Sequence, residues 1–298
     1  MGEIAGLVAA FIWAANNIMV RSQSDRLDML SLNAIRCIAA APIAVLAPVL
    51  LGYGDALLRT PPVALAYILA AAVMAIGVGD TIYYVSQKRL GVSRAQPISN
   101  VYPIFTLMLA ATFLGEKATW TLVAAVLLVV VGIYFLSARH GTEGEEVATA
   151  TTEKARLGLG MAVGAGLCWA VATVLLRQGM VEMDALSAQQ VRLPVIALLL
   201  VGMVRLTGRP VGFRRYGWRA LLVVGGSGVL GMCIGGLLFL YSVQATGAAK
   251  ASLLSSLSPF FGAPLAAIFL GERITWRVVA GMLCCMGGVW LIFVPVAI

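Results

Sequence analysis

The stretch GVGDTIYYVSQ places Asp80, Tyr83, Tyr84 and Gln87 at i, i+3, i+4 and i+7, one face of a helix. An acid, two phenols and an amide on one face of an apolar run suit the binding of a charged or zwitterionic group. The carboxylate offers an ion pair or a proton relay, and the rings offer a surface for a cation. Trp13, Asn16 and Asn17 interrupt the first apolar run, and Gln96, Ser99, Asn100 and Tyr102 precede Pro103 in a later one. Pro103 removes a backbone donor and frees carbonyls one turn away. A break lined by protein or water is expected there. The plainer alternatives are that Asp80 caps a helix or pairs with Lys88, Arg89 or Arg177, and that the amides and hydroxyls join neighbouring helices.

Catalysis has little raw material. The one histidine, His140, lies in a polar segment. Cys37, Cys168, Cys233, Cys284 and Cys285 lie in apolar runs without a CxxC pair, so they read as small buried hydrophobes rather than as disulfides or metal ligands. No Walker A motif implies ATP. An enzyme is not expected, and neither is a cofactor or metal.

The elements that carry these residues follow from composition. Of 298 residues, 61% are hydrophobic and 11% charged, with mean hydropathy +0.96. A soluble domain carries about 25% charged residues, so the natural solvent of this chain is a bilayer. The net charge of +8 is spread over short loops rather than gathered in a patch, so nucleic acid is not an expected partner. A spanning helix needs about 20 apolar residues. Ten runs qualify, near 4–20, 31–51, 63–86, 95–115, 118–138, 158–176, 186–205, 219–243, 251–270 and 274–296. They lack strand alternation, which predicts an all-α integral membrane protein of ten transmembrane helices. No basic n-region precedes the first run, so it reads as a permanent span rather than a cleaved leader.

The chain is written twice. FLGEKATW (113–120) returns as FLGERITW (269–276), and the same 156-residue offset pairs Trp13 with Trp169, Asp28 with Asp184, Arg36 with Arg192 and Gly79 with Gly235. It also pairs Pro103 with Pro259, Glu116 with Glu272 and Gly132 with Gly288. Residues 1–138 form a first five-helix repeat, 139–157 (RHGTEGEEVATATTEKARL) a polar linker, and 158–298 a second five-helix repeat. Five is odd, so the second unit enters the membrane inverted.

The repeats differ where they are polar. At that offset Asn16 and Asn17 match Ala172 and Thr173; Asp80, Tyr83, Tyr84 and Gln87 match Gly236, Phe239, Leu240 and Val243; Ser99 and Asn100 match Ser255 and Ser256. A cavity polar on one side and apolar on the other suits an amphipathic solute. Arg36 and Arg192, each about one turn inside a span, are expected to snorkel or to donate to backbone carbonyls, with gating ion pairs as the alternative. In the repeated turn, Gly115 and Gly271 are expected to end one helix, Thr119 and Thr275 to cap the next, and Glu116 and Glu272 to bond donors within the turn.

Alternate loops divide the basic residues unequally. Of the 21 Lys and Arg, only Arg59, Lys117, Arg177 and Lys250 fall on the side opposite the rest, and Arg36 and Arg192 lie within spans. The richer side is read as cytoplasmic, which puts both termini in the periplasm of a bacterial inner membrane protein.

The paired stretches NVYPIFTLMLAATFLGEKATW (100–120) and SLSPFFGAPLAAIFLGERITW (256–276), with a Trp in the first span and an Arg near the start of the second of each half, resemble the drug/metabolite transporter superfamily and, within it, the EamA family of exporters. The resemblance covers nearly the whole chain. It implies a cavity between the halves lined by Trp13, Asn16, Asp80, Tyr84, Asn100, Trp169 and Tyr241. It also implies export of amino acids, other metabolites or toxic compounds, with the family's amino-acid exporters as the nearest group. Four-span multidrug relatives carry a membrane-embedded glutamate in their first span. Asn16 and Asn17 stand in that region here, against proton-coupled cation export by that route. Many relatives are described with cytoplasmic termini, contrary to the charge count, which is kept.

The expectation is a secondary transporter exporting small amphipathic metabolites, amino acids foremost, by alternating access; the alternative is multidrug or organic-cation efflux. The expected substrate-binding residues are Trp13, Asn16, Asn17, Asp80, Tyr83, Tyr84, Gln87, Ser99, Asn100, Trp169, Thr173, Tyr241 and Ser256. The expected partners are a small-molecule solute and the lipid bilayer, without nucleic acid or ATP, and a monomer is allowed.

Overall fold

The computed structural model describes residues 1–21, 28–52, 60–90, 92–137, 153–208, 217–270 and 275–293. Every regular element among them is a helix. The first half runs α1 (Gly2–Arg21), α2 (Met29–Leu50), α3 (Pro62–Ala72), a π-helical stretch (Val73–Gly79), α4 (Asp80–Leu90), α5 (Val92–Ser99), α6 (Tyr102–Phe113) and α7 (Trp120–Ser137). The second runs α8 (Glu153–Gly179), α9 (Ala185–Leu206), α10 (Trp218–Gly228), a second π-helical stretch (Val229–Gly235), α11 (Gly236–Thr246), α12 (Ala248–Ser255), α13 (Ser258–Leu270) and α14 (Trp276–Phe293). Six helices among the described residues are long and apolar enough to cross a membrane: Gly2–Val20, Met29–Leu50, Pro62–Gln87, Arg156–Gly179, Ala185–Leu206 and Trp218–Thr246. Tyr102–Phe113, Trp120–Leu136 and Trp276–Ile292 are shorter apolar helices.

Local chemistry sets the boundaries. Asp28 begins α2 by accepting from the Ser31 amide at 3.2 Å, and Asp184 begins α9 by accepting from Leu186 and Ser187 amides at 2.9 and 3.0 Å. The run around Pro103 breaks between α5 and α6, as its proline requires, with Tyr102 and Pro103 opening the new helix. The repeat-related run breaks in the same way between α12 and α13, just before Pro259. Helix α8 begins at Glu153, so residues 153–157 of the polar segment are helical, since EKARL is made of strong helix formers. Residues 138–152 lie outside the described residues.

Neither π-helical stretch was expected. VMAIGVG and VLGMCIG are apolar and glycine-rich, and such runs carry no periodic signal that separates a wide turn from an α-turn. Side chains from neighbouring helices donate to carbonyls of both stretches, as described below.

Packing exchanges the first helices. α1 packs mainly against α10 to α13 and the second π-helical stretch, whereas α8 packs mainly against α3 to α6 and the first. α2 lies along α9 and α7 along α14, so like-placed helices of the two halves also pair. In α2–α9, Ala34, Cys37 and Ala40 meet Leu193, Ile196 and Leu200. In α7–α14 the backbones approach closely, because a Cβ on Gly281 would stand 2.7 Å from the Gly132 carbonyl oxygen. Small residues permit that approach, and dispersion rather than water exclusion then holds the pair in lipid.

Glu116 departs from the expected turn. Its carboxylate crosses to the other half and accepts from the amides of Ala248 and Ala249 at 2.7 and 3.1 Å, closing the N-terminus of α12. Gly247 before them has φ +90, and a Cβ there would stand 2.7 Å from Glu116 Oε1, so both conformation and space require glycine. Glu116→Gln keeps one acceptor and removes the charge that faces the helix dipole. It is expected to cost about 1 kcal/mol, and Glu116→Ala more. Thermal unfolding in detergent checks the order wild type, Gln, Ala; equal midpoints for all three would contradict it. Glu272, its repeat-related counterpart, lies outside the described residues.

Candidate functional site

The two repeat-related tryptophans do the same job with different partners. Trp13 on α1 donates from Nε1 to the Gly231 carbonyl at 2.9 Å, and Trp169 on α8 donates from Nε1 to Asp80 Oδ1 at 3.0 Å. Each indole lies on a glycine of the other half, for a Cβ on Gly235 would stand 2.9 Å from Trp13 Nε1 and one on Gly79 3.0 Å from Trp169 Nε1. In one copy the indole meets a peptide carbonyl within the π-helical turn, one that also accepts from the Gly236 amide. In the other it meets a carboxylate placed one residue after that turn.

Arg36 joins the remaining polar residues. Its Nη1 donates to the Tyr84 hydroxyl at 3.0 Å. With the Asn16 amide oriented by its neighbours, Asn16 accepts from Arg36 Nη2 at 3.0 Å and donates to the Ser227 carbonyl at 2.7 Å. Arg36 and Asn16 are both buried. The guanidinium therefore neither snorkels nor bonds carbonyls. It ties α1 and α4 to α2, and the Asn16 bond extends the chain to α10. Arg36 and Arg192 are the two cations whose fields reach Asp80.

An aromatic cluster surrounds this charge. Tyr83 and Tyr102 stand edge-on to Trp169 with ring centroids 5.1 and 6.0 Å away, and Tyr83 lies 5.6 Å from Tyr84. The Tyr102 hydroxyl donates to the Ser252 carbonyl at 2.9 Å, linking α6 to α12. Gln87 lies beside the Tyr83 side chain. A carboxylate held by an indole, beside an engaged arginine and a set of ring faces, can take up an ammonium group together with an apolar body.

Two residues missed from sequence support the site from behind. Asn33 Nδ2 donates to the Ile76 carbonyl at 3.3 Å, and Gln189 Nε2 donates to the Cys233 carbonyl at 3.0 Å and also to that of Met232. These positions are 156 apart, as are Ile76 and Met232. Each amide thus donates to carbonyls within the π-helical turn of its own half.

The other expected site residues divide. Ser99 is buried and its hydroxyl donates to the Ala162 carbonyl at 3.0 Å, fastening α5 to α8. Thr173 and Ser256 are buried too, but their hydroxyls donate to carbonyls of their own helical segments, at Trp169 and Leu253. Asn100 sits in the break between α5 and α6, buried, with its amide nitrogen unpartnered. Asn17 is exposed on α1, and Tyr241 on α11 is 44% exposed, without a hydrogen bond or ring contact to the cluster. The structure therefore brings together Asp80, Tyr83, Tyr84, Gln87, Trp169 and Asn16, adds Arg36 and Tyr102, and leaves Asn17 and Tyr241 apart.

Known proteins show the same organisation. One solved crystal structure matches with TM-score 0.83 at 16% identity, covering 98% of this chain and 95% of that one, a likeness of fold. A protein of Archaeoglobus fulgidus named an uncharacterized transporter is 26% identical over 292 residues, which is 98% of each chain. A probable terminal-alkyne amino-acid exporter of Streptantibioticus cattleyicolor is 32% identical over 126 residues, 42% of this chain and 41% of that one. The EamA-like transporter family matches residues 1–138 and again 156–294. With its apolar spanning helices and a match running through both halves, the chain is a multi-pass membrane protein and belongs to the EamA-like transporter family.

Proposed function

We infer that this transporter exports small amphipathic metabolites, amino acids foremost, across the bacterial inner membrane by alternating access. It does so with ten spans in two inverted five-helix repeats, joined by the polar segment 139–157, and with both termini periplasmic. The observation that carries this reading is the unequal polar cluster: Asp80, held by Trp169 of the second half, and the chain Tyr84–Arg36–Asn16 are contributed by the first repeat, with Gly236, Leu240 and Ala172 at the repeat-related positions. Such a site offers charge to a polar head and apolar surface to a side chain. The partial likeness to a probable amino-acid exporter supports amino acids as the class. Uptake of a panel of labelled amino acids into proteoliposomes is the test: saturable flux of at least one is expected, and absence of flux for all sinks the reading.

The rings around Asp80 favour a second reading, organic-cation efflux, since a carboxylate within an aromatic cluster suits a lipophilic cation. Competition settles it: a lipophilic cation that is itself carried, and that blocks flux better than any amino acid, favours the second reading.

A further inference from the structure

Arg36 and Arg192 occupy the same place in the two repeats, about 12 Å along α2 and α9 from their capping aspartates. Their surroundings differ. Both terminal nitrogens of Arg36 are engaged, by Asn16 and Tyr84, while its Nε and the Oδ1 of Asn33 one turn before it are unpartnered. The repeat-related positions are Ala172 and Leu240, which have no side-chain oxygen to offer. Arg192 is 8% exposed, and its Nε and Nη1 have no partner. The carboxylate whose field reaches it, Asp80, is already bonded by Trp169. One turn before Arg192, Gln189 is also buried; its nitrogen is anchored on the π-helical carbonyls, and its Oε1 is unpartnered. Residues three apart share a helix face. α9 thus presents free cationic donors and, one turn away, a free fixed carbonyl oxygen.

A buried guanidinium without partners is costly, and a chain keeps one where something outside the chain completes it. Free donors and a free acceptor about 5–6 Å apart at their Cβ atoms match a group that carries an anion beside an ammonium. We propose that Arg192 recognises the carboxylate of the transported solute, with Gln189 Oε1 accepting from its ammonium group. The ammonium assignment rests on the amino-acid reading above, whereas the carboxylate assignment stands without it.

The test uses the full chain in proteoliposomes and four probes: L-phenylalanine, L-phenylalaninamide, 3-phenylpropionate and phenethylamine. Wild type is expected to favour L-phenylalanine over its amide by tenfold or more, and Arg192→Gln to erase that preference by lowering flux of the carboxylate probes, L-phenylalanine and any 3-phenylpropionate that moves, while leaving the amide unchanged. Arg192→Lys keeps the charge without the planar fork and is expected to fall between them. Thermal unfolding supplies an independent readout. Because Arg192 has no partner to lose, Arg192→Met is expected to match or exceed the wild-type midpoint, whereas a structural arginine would lower it. If 3-phenylpropionate moves and L-phenylalanine does not, the amino-acid reading fails and Arg192 stands. If only phenethylamine or the amide moves, if no probe moves, or if Arg192→Gln leaves the preference intact, the proposal is overturned. Rescue of Arg192→Gln by Asp80→Asn also overturns it, by making Arg192 the counter-ion of Asp80.

Discussion

Replacing Asp80 with asparagine is expected to cut transport by about tenfold to a hundredfold while the protein still inserts and purifies as a folded species. The argument rests on what the substitution keeps. An asparagine retains an oxygen at the position that accepts from Trp169 Nε1, so the bond now 3.0 Å long has a partner in the variant. The ring contacts of Trp169 with Tyr83 and Tyr102 do not involve the carboxylate. What disappears is the negative charge, and hydrogen bonds to charged groups contribute about 1.5–3 kcal/mol against about 1 kcal/mol for neutral ones, a difference that grows when water is excluded. Each 1.4 kcal/mol is a factor of about ten. Asp80→Leu removes the acceptor as well and is expected to damage folding too. The pair separates two roles. Full activity in Asp80→Asn with loss in Asp80→Leu makes Asp80 an anchor for Trp169 and nothing more. Measuring wild type and Asp80→Asn across pH extends the test: a pH dependence present in the first and absent in the second assigns proton coupling to this carboxylate.

The second large effect is structural. Gly228→Ala is expected to lower the unfolding midpoint by roughly 5 °C or more, or to abolish folding. A Cβ on Gly228 would collide with the Arg36 carbonyl oxygen and stand 2.6 Å from its Cα, both backbone atoms of α2 that cannot rotate aside. α10 would have to withdraw from α2. That withdrawal strikes the polar chain directly, because the neighbouring Ser227 carbonyl accepts from Asn16, which in turn accepts from Arg36. Transport should fall even in molecules that fold. The control is Gly160→Ala, where a Cβ meets nothing within 4 Å and a better helix former replaces glycine, so the midpoint should hold or rise slightly. Equal midpoints for the two variants would contradict the close approach.

The sequence made the helical class, the apolar spans and the break at Pro103 legible, since hydropathy, composition and proline chemistry act locally. The 156-residue repeat made Trp13 and Trp169 visible as a pair, and the helical face through Asp80 pointed to the centre of the polar cluster. What stayed hidden depends on long-range geometry. Arg36 reads as a snorkelling residue until α1 and α4 are placed beside it. Asn33 and Gln189 fill the same role in the two halves, but they differ in type, so a search for identical pairs passes over them. Their purpose also requires the π-helical turns, which leave no mark in an apolar run. Glu116 reads as part of its own turn because its acceptor role depends on a helix 132 residues away. Asn17 looked like a site residue because it is polar within a span, and Tyr241 because the family resemblance implies a cavity there; only the orientation of α1 and α11 sets them apart.

The exchange of first helices bears on how the molecule is made. α1 enters the bilayer at the start of synthesis, but the carbonyls that accept from Asn16 and Trp13, those of Ser227 and Gly231, belong to residues translated some two hundred positions later. Until they arrive, a polar stretch of the first helix must wait in lipid without its final partners. The nascent first half is therefore an unfinished object rather than a folded domain. Assembly becomes a late event in which α10 to α13 close around a helix that was already there. In the same step α8 fills the place left among α3 to α6, so neither half reaches its native packing before the other exists.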